Sequence, residues 1–233
     1  MSRLLTKLLA ALAAMAILGM FATSGEKLLP ALRGTFVEAP LIALTYPNSI
    51  LFNLCIGYLV SLFFWVLVVD WPERKRRAIL QSNLHRRYQS FKEEIIQSLL
   101  WASIGMHDSR KPRELLSYLK FKEFFSQNKS EHWYAALNGI QGSEERMREI
   151  TLAMQMLADE VNYVLNNVTI DDDAAHTLLK NLNENIYRLQ HSGADLYDQV
   201  KHVGRFLWSI LARWSAIDGQ LEEDVIQNVI DKL

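Results

Sequence analysis

Histidines are the residues in this sequence best suited to proton transfer or metal binding, and its six histidines are scattered along the chain. They do not form an H-E-x-x-H pair or another spacing typical of metal ligands. Asp198 and His202 are four residues apart and would share one face of a helix, but two ligands do not make a metal site. A surface pair is the simpler interpretation. The six are His85, His107, His132, His176, His191 and His202.

Other chemical motifs are missing as well. The single cysteine, Cys55, allows neither an intramolecular disulfide nor a cysteine-based zinc site. The sequence has no glycine-rich phosphate loop and no G-x-S-x-G elbow, and Asp171–Asp173 lack the spacing of an EF-hand. We therefore expect no enzyme, no bound cofactor and no metal.

The stretch that organises the chain is instead Ile50–Val69, twenty residues without Asp, Glu, Lys, Arg or His. As a helix it would be roughly 30 Å long, which matches the hydrocarbon core of a bilayer. It is apolar on all sides, as lipid requires. This predicts a transmembrane helix over residues 50–69.

A cluster of cations follows this stretch. By the positive-inside rule it places the C-terminal end of the helix in the cytoplasm. The same cations could bind anionic lipid headgroups, each contributing about 1 kcal/mol of binding free energy near the surface. They could instead serve only as a topology signal that also keeps the helix soluble. Nucleic-acid binding by this cluster is the third alternative. The acidic C-terminal half argues against sequence-specific nucleic-acid binding, since residues 134–233 carry 8 Lys/Arg against 16 Asp/Glu. The cations are Arg74, Lys75, Arg76, Arg77, Arg86 and Arg87.

Residues 1–25 contain a second uncharged run, Leu8–Gly25, after Arg3 and Lys7. It fits a retained transmembrane helix with a cytoplasmic N-terminus, which we favour, or a cleaved signal peptide. Residues 26–49 then form a short periplasmic loop, with room for an interfacial helix over residues 28–37. Small residues recur four apart in both spans and would support packing within the hairpin or between protomers. These are Ala10 and Ala14 in the first span and Gly57 and Ser61 in the second.

Beyond the membrane we predict an all-α cytoplasmic part. Residues 70–105 form a basic juxtamembrane helix that begins at Pro72 and buries an apolar stripe, and residues 106–233 form a helical bundle. Further helices are expected over residues 112–127 and 131–137, the latter ending because Gly139 and Gly142 break it, and a last one over residues 221–233.

Three heptad-spaced apolar seams run over residues 147–168, 175–189 and 196–217, separated by Asp171–Asp173 and by Ser192–Gly193. They predict three antiparallel helices, the second of them stabilised at its N-terminus by the aspartates. The same seams could also mediate association between chains. The seam positions are Met147, Ile150, Met154, Leu157, Val161, Leu182, Ile186, Leu189, Val203, Leu207 and Trp214.

This layout, with Leu8–Gly25 and Ile50–Val69 as membrane part and Pro72–Leu233 as regulatory domain, resembles the small two-helix membrane effectors of bacterial anti-phage systems, including those encoded beside retron reverse transcriptases. The resemblance implies an inner-membrane protein with both termini in the cytoplasm. It also implies that a protein or ribonucleoprotein partner, such as a reverse transcriptase complex, holds the bundle silent. On infection, release would let the membrane part assemble as a homo-oligomer and permeabilise the bilayer, which is an abortive infection response. The alternative is a membrane-anchored scaffold or assembly factor without pore activity.

Overall fold

A computed structural model describes residues 3–23, 48–126, 132–191, 196–215, 217 and 219–233. The described chain is mostly helical, as predicted, and contains one two-stranded β-hairpin. It forms two compact units, Met1–Arg76 and Arg77–Leu233. Nearly all of the predicted periplasmic loop and the boundary at residues 192–193 lie outside the described residues.

The first unit contains two apolar helices, α1 (Arg3–Thr23) and α2 (Ser49–Trp65). Asn48 caps α2, because its side-chain oxygen accepts hydrogen bonds from the backbone amides of Ile50 and Leu51 at 3.0 and 3.1 Å. A π-helical turn over Val66–Asp70 joins α2 to α3 (Trp71–Ser103).

One helical run in the described chain, Ser49–Ser103, is long and apolar enough by length and composition to cross a membrane. The apolar window of this run is not buried inside the protein at all. Lys7–Thr23 forms a shorter apolar helical stretch. A helix that exposes so many apolar side chains needs an apolar solvent or a partner to cover them.

Helices α1 and α2 pack closely where Gly19 meets Cys55. A Cβ atom added to Gly19 would lie 2.9 Å from the Cys55 Sγ, closer than real Cβ atoms approach. Ala16, one turn earlier on α1, is buried. The small side chains at these positions therefore let the two backbones approach each other.

The second unit is organised around α3, whose buried stripe matches the predicted one: Leu84, Tyr88, Phe91, Ile95 and Leu99 have no exposed surface. The apolar faces of several other helices complete the core. The elements that follow α3 are α4 (Lys111–Glu114), α5 (Tyr118–Ser126), α6 (Trp133–Gln141), α7 (Glu144–Asn167), α8 (Asp173–Gln190), α9 (Leu196–Leu211), β1 (Trp214–Ser215), β2 (Gly219–Gln220) and α10 (Val225–Lys232).

Side-chain caps start the helices that surround the core. The Ser143 hydroxyl accepts from the Arg146 amide at the start of α7. The Asp172 carboxylate accepts from the amides of Ala174 and Ala175 at the start of α8, at 2.9 and 3.3 Å. The predicted stabilisation of this helix start is confirmed for Asp172, whose carboxylate caps it, and Asp173 lies in the first turn, near the positive end of the helix dipole.

Two predicted helix boundaries in the middle of the chain are wrong. The helix expected over residues 112–127 is two helices, α4 and α5, separated at Leu115–Ser117. The helix α6 runs through Gly139 instead of ending before it. Gly139 is needed there for close packing, since a Cβ would lie 2.3 Å from the Ala102 carbonyl oxygen on α3.

The third predicted seam ends earlier than expected. Arg213 has a positive φ of 50°, which terminates α9, and the chain turns into the antiparallel hairpin in which Trp214 pairs with Gln220. Trp214 is therefore a strand residue, 40% exposed, and Ile217 is 93% exposed, so neither belongs to a helical seam. The last helix starts after Asp224 rather than at Leu221.

Candidate functional site

A contact rich in polar side chains lies inside the second unit, where the short C-terminal helix α10 packs against α3. Five polar side chains of α3 face α10 or the residue that caps it, and we call this contact the α3–α10 seam. Its α3 members are Gln81, His85, Tyr88, Gln89 and Lys92.

The centre of the seam is a buried triad of Tyr88, Lys92 and Asp224. The Tyr88 hydroxyl donates to Asp224 Oδ1 at 2.9 Å, and Lys92 Nζ donates to Asp224 Oδ2 at 3.1 Å. Both charged side chains are about nine-tenths buried, at 10% exposure for Lys92 and 9% for Asp224. Asp224 also caps α10, because Oδ1 accepts from the Gln227 amide at 3.1 Å. One carboxylate therefore satisfies a phenol, an ammonium and a helix N-terminus.

Burial raises the pKa of Tyr88 well above its ordinary value, and the Asp224 carboxylate raises it further by its charge and by its hydrogen bond. Lys92 Nζ lies 4.4 Å from the centre of the Tyr88 ring, which adds a cation–π contact. The phenol is thus held neutral as a donor, and it orients the carboxylate for the lysine.

The outer part of the seam holds the rest of α10. Gln81 Nε2 donates to the backbone carbonyls of Ile230 and Asp231 in the last turn of α10, both at 3.0 Å, and so supplies a partner where the helix runs out of its own amides. Gln89 donates to the Gln227 side chain at 2.8 Å, whose Nε2 in turn lies 2.8 Å from His85 Nδ1. An eight-residue helix is marginal by itself, so these contacts and the buried Ile230 decide whether α10 forms.

A cleft of about 830 Å³ opens beside the triad, between α8, α9, the β-hairpin and α10. Tyr88 and Asp224 lie at its inner wall, and apolar side chains such as Phe206, Ile210 and Ile226 form much of its lining. Its lining also includes His202 and three arginines, Arg188, Arg205 and Arg213. Among the described residues, no three His, Cys, Asp or Glu side chains lie together in a way that could hold a metal ion.

The predicted seam positions of the bundle are almost all buried. Leu189 is half-buried and Trp214 belongs to the hairpin, as described above. The buried positions are Met147, Ile150, Met154, Leu157, Val161, Leu182, Ile186, Val203 and Leu207.

The six predicted lipid-facing or topology cations have different surroundings. Arg74 forms an ion pair with Asp70 at 2.7 Å, and Arg77 donates to the Thr169 carbonyl. Arg87 donates to both carboxylate oxygens of Glu94, at 3.3 and 3.0 Å, so it braces α3 itself. Lys75, Arg76 and Arg86 are exposed. Arg77 and Arg87 thus have structural partners in the second unit, which a contact with lipid would have to displace.

The predicted small-residue pairs do not form the contact between α1 and α2. Ala10, Ala14, Gly57 and Ser61 are exposed, and a Cβ on Gly57 would meet nothing within 4 Å. The Ser61 hydroxyl donates to the Gly57 carbonyl of its own helix at 2.8 Å. Packing within the hairpin uses Gly19 instead, and packing between protomers stays a prediction for these four residues.

Sequence reasoning missed both the α3–α10 seam and the cleft. One signal was available: Lys92 lies four residues after Tyr88, on the same side of α3 as the apolar stripe, where a lone lysine needs a buried partner. Its partner Asp224 is 132 residues away, so the pairing itself could not be read from spacing. A comparison of the chain with family models, with curated proteins and with solved structures found no match.

Proposed function

We propose that this protein is an inner-membrane effector whose apolar hairpin compromises membrane integrity when partners release its helical domain. One observation carries the proposal: the helical run Ser49–Ser103 has an unburied apolar window at one end and the central core stripe of the second unit at the other. A change in the packing of the core around α3 would therefore act on the same continuous helix that carries the apolar window.

The proposed topology is a two-helix hairpin with both termini in the cytoplasm. Outward-facing Leu54 and Phe63 on α2 are 68% and 61% exposed, which suits contact with acyl chains. The cations that follow α2 favour a cytoplasmic position for the second unit. The close approach of Gly19 and Cys55 supports pairing of α1 with α2.

The proposed context is an abortive-infection response to phage, with a protein or ribonucleoprotein partner holding the domain silent until infection. The support for this context is the likeness in layout to two-helix effectors of anti-phage systems. The exposed small residues of α1 and α2 would then bring hairpins of several protomers together in the membrane.

Membrane potential and propidium entry, followed in bacteria after induction of the full chain with and without its neighbouring genes, test this proposal. Depolarisation that the neighbouring genes suppress is the expected result. The matched control is Val60→Arg, since Val60 faces outward from α2 and an arginine near the bilayer centre costs about 3 kcal/mol in insertion. Unchanged potential at good expression, or equal depolarisation by Val60→Arg, would contradict a membrane effector.

A membrane-anchored scaffold is the second candidate, and a groove between α3 and α7 favours it. Exposed Trp101, Leu152 and Met156 line this groove together with Glu94 and Glu149. Glu94 is already paired with Arg87, so the groove offers apolar side chains and the Glu149 carboxylate, which suit a partner segment with apolar anchors and a cation. A scaffold predicts no depolarisation from any variant, and it predicts partner binding that Leu152→Ser weakens and Gln155→Ser, at an exposed position of the same helix, leaves intact.

A further inference from the structure

We propose that the cleft beside the α3–α10 seam is a binding site for a small aromatic anion, a compact aromatic body that carries one carboxylate, sulfonate or phosphate group. This goes beyond the membrane function and does not depend on it. The cleft volume of about 830 Å³ lies within the range of roughly 300–1,000 Å³ that is typical of small-molecule sites.

The charge of the lining points to an anion. Arg205 and His202 on α9 have no hydrogen-bond or ion-pair partner among the described residues, and both line the cleft. Arg188 on α8 has only a loose contact with Glu184, at 3.9 Å. The two arginine side chains can turn toward a bound anion and donate charge-assisted hydrogen bonds, and the His202 imidazole can add a further hydrogen bond.

The acidic groups of the lining are already engaged. Asp224 forms an ion pair with Lys92 and accepts a hydrogen bond from the Tyr88 hydroxyl. The Glu223 carboxylate accepts a hydrogen bond from the Asn228 side chain. Arg213 is also partly engaged, because it donates to the Glu222 carbonyl at 3.1 Å and lies 4.5 Å from the Tyr118 ring. The guanidinium groups of Arg188 and Arg205 therefore remain available to an anion, against one lining carboxylate, Glu223, that has no cationic partner among the described residues.

The apolar lining points to an aromatic body. Phe206 on α9 and Trp214 on β1 both contribute to the cleft, and Trp214 is 40% exposed. Flat aromatic faces beside arginine side chains favour a flat ligand, since rings stack on the aromatic side chains while the arginines bind the charge. Val225 and Ile226 from the first turn of α10 form another part of the lining, so a ligand here would also contact the helix that the seam holds.

The test is a titration of the full chain in phosphatidylcholine nanodiscs with naphthalene-2-sulfonate, with empty nanodiscs to correct for partition into lipid. Quenching of the protein's tryptophan fluorescence reports binding, and a smaller quench in Trp214→Phe assigns the signal to the cleft. We expect saturable binding, about tenfold weaker in Arg205→Gln because one charge-assisted bond is lost. Arg148→Gln, an exposed arginine on α7 outside the cleft, should leave the affinity unchanged. Neutral naphthalene-2-sulfonamide should bind at least tenfold more weakly.

Hydrogen–deuterium exchange of the backbone amides of Val225–Lys232 gives a second readout that does not depend on fluorescence. A bound ligand should slow exchange there in the unaltered protein, and less in Arg205→Gln at the same concentration. Equal affinity for the sulfonamide, no effect of Arg205→Gln, or tighter binding of decanoate than of the sulfonate would each overturn the proposal. Unchanged exchange in α10 at saturation would overturn the location of the site.

Discussion

Neutralising Asp224 as Asp224→Asn tests whether the buried triad holds α10 on α3. Asparagine is nearly isosteric, remains a good N-cap and still accepts a hydrogen bond from Tyr88, so the change removes mainly the negative charge. It leaves the Lys92 ammonium, only 10% exposed, without its partner. Breaking one side of a buried ion pair costs about 3–5 kcal/mol in the free energy of unfolding.

The matched partner change is Lys92→Met, which keeps the aliphatic stem and removes the charge. This change alone leaves the Asp224 carboxylate without a cationic partner, and its remaining hydrogen bonds are those from the Tyr88 hydroxyl and the Gln227 amide. In the double variant neither charge is buried. Replacement of a buried ion pair by uncharged groups is often close to neutral, so we expect the double variant to be more stable than Asp224→Asn alone, by about 2 kcal/mol or more.

Denaturant unfolding of the full-length protein in a mild detergent, followed by tryptophan fluorescence, measures these differences. Exchange of the α10 amides measured in the same samples shows where the stability is lost. In Asp224→Asn the backbone amides of α10 should become the first to exchange faster, since a helix of only eight residues depends on its packing against α3. Two results would refute the reasoning that the buried charges of Asp224 and Lys92 depend on each other. One is a loss of unfolding free energy below about 1 kcal/mol for Asp224→Asn. The other is that the effects of the two single changes add up in the double variant.

Three further predictions concern other contacts. The pKa of Tyr88 is raised in the folded protein, whereas that of the phenol in the unfolded chain is about 10, so the unfolded chain loses this proton first as the pH rises. The melting temperature should therefore fall above about pH 10, and Tyr88→Phe should weaken this pH dependence. Gly139→Ala should destabilise the protein by about 1–3 kcal/mol in denaturant unfolding, whereas Gly142→Ala, whose Cβ would lie 3.5 Å from its nearest neighbour, should be tolerated. Gly19→Cys should form a disulfide with Cys55 on mild oxidation, visible as a mobility shift in non-reducing gels, whereas Gly57→Cys should not form this intramolecular bond.

The helical class and the core faces of the second unit could be read from the sequence because they depend on local periodicity. The stripe along α3 and most of the seam positions on α7, α8 and α9 recur every three or four residues, and a helix with such a pattern has one side that must be buried. The cap at Asp172 was predictable for the same reason, since a carboxylate at a helix start satisfies amides within the next turn. Residues 50–69 likewise needed only their length and their lack of charge to predict an apolar helix.

Where periodicity and packing disagreed, tertiary contacts decided the outcome. Glycine usually disfavours a helix, yet Gly139 lies within α6. Its missing side chain leaves the space that the close approach of α3 requires at this position. The heptad pattern continued through Trp214, but the left-handed backbone at Arg213 ended α9 and turned the chain into a hairpin.

The candidate site depended most on tertiary structure. Tyr88 and Lys92 are separated from Asp224 by more than 130 residues, and no local rule connects positions so far apart. The cleft depends in the same way on α8, α9, the hairpin and α10 meeting around one space. The sequence by itself determined that the chain is mostly helical and which side of its longer helices is apolar, because those properties are repeated within a few turns. Only the folded arrangement decided which polar groups share a buried contact, because that depends on which helices become neighbours.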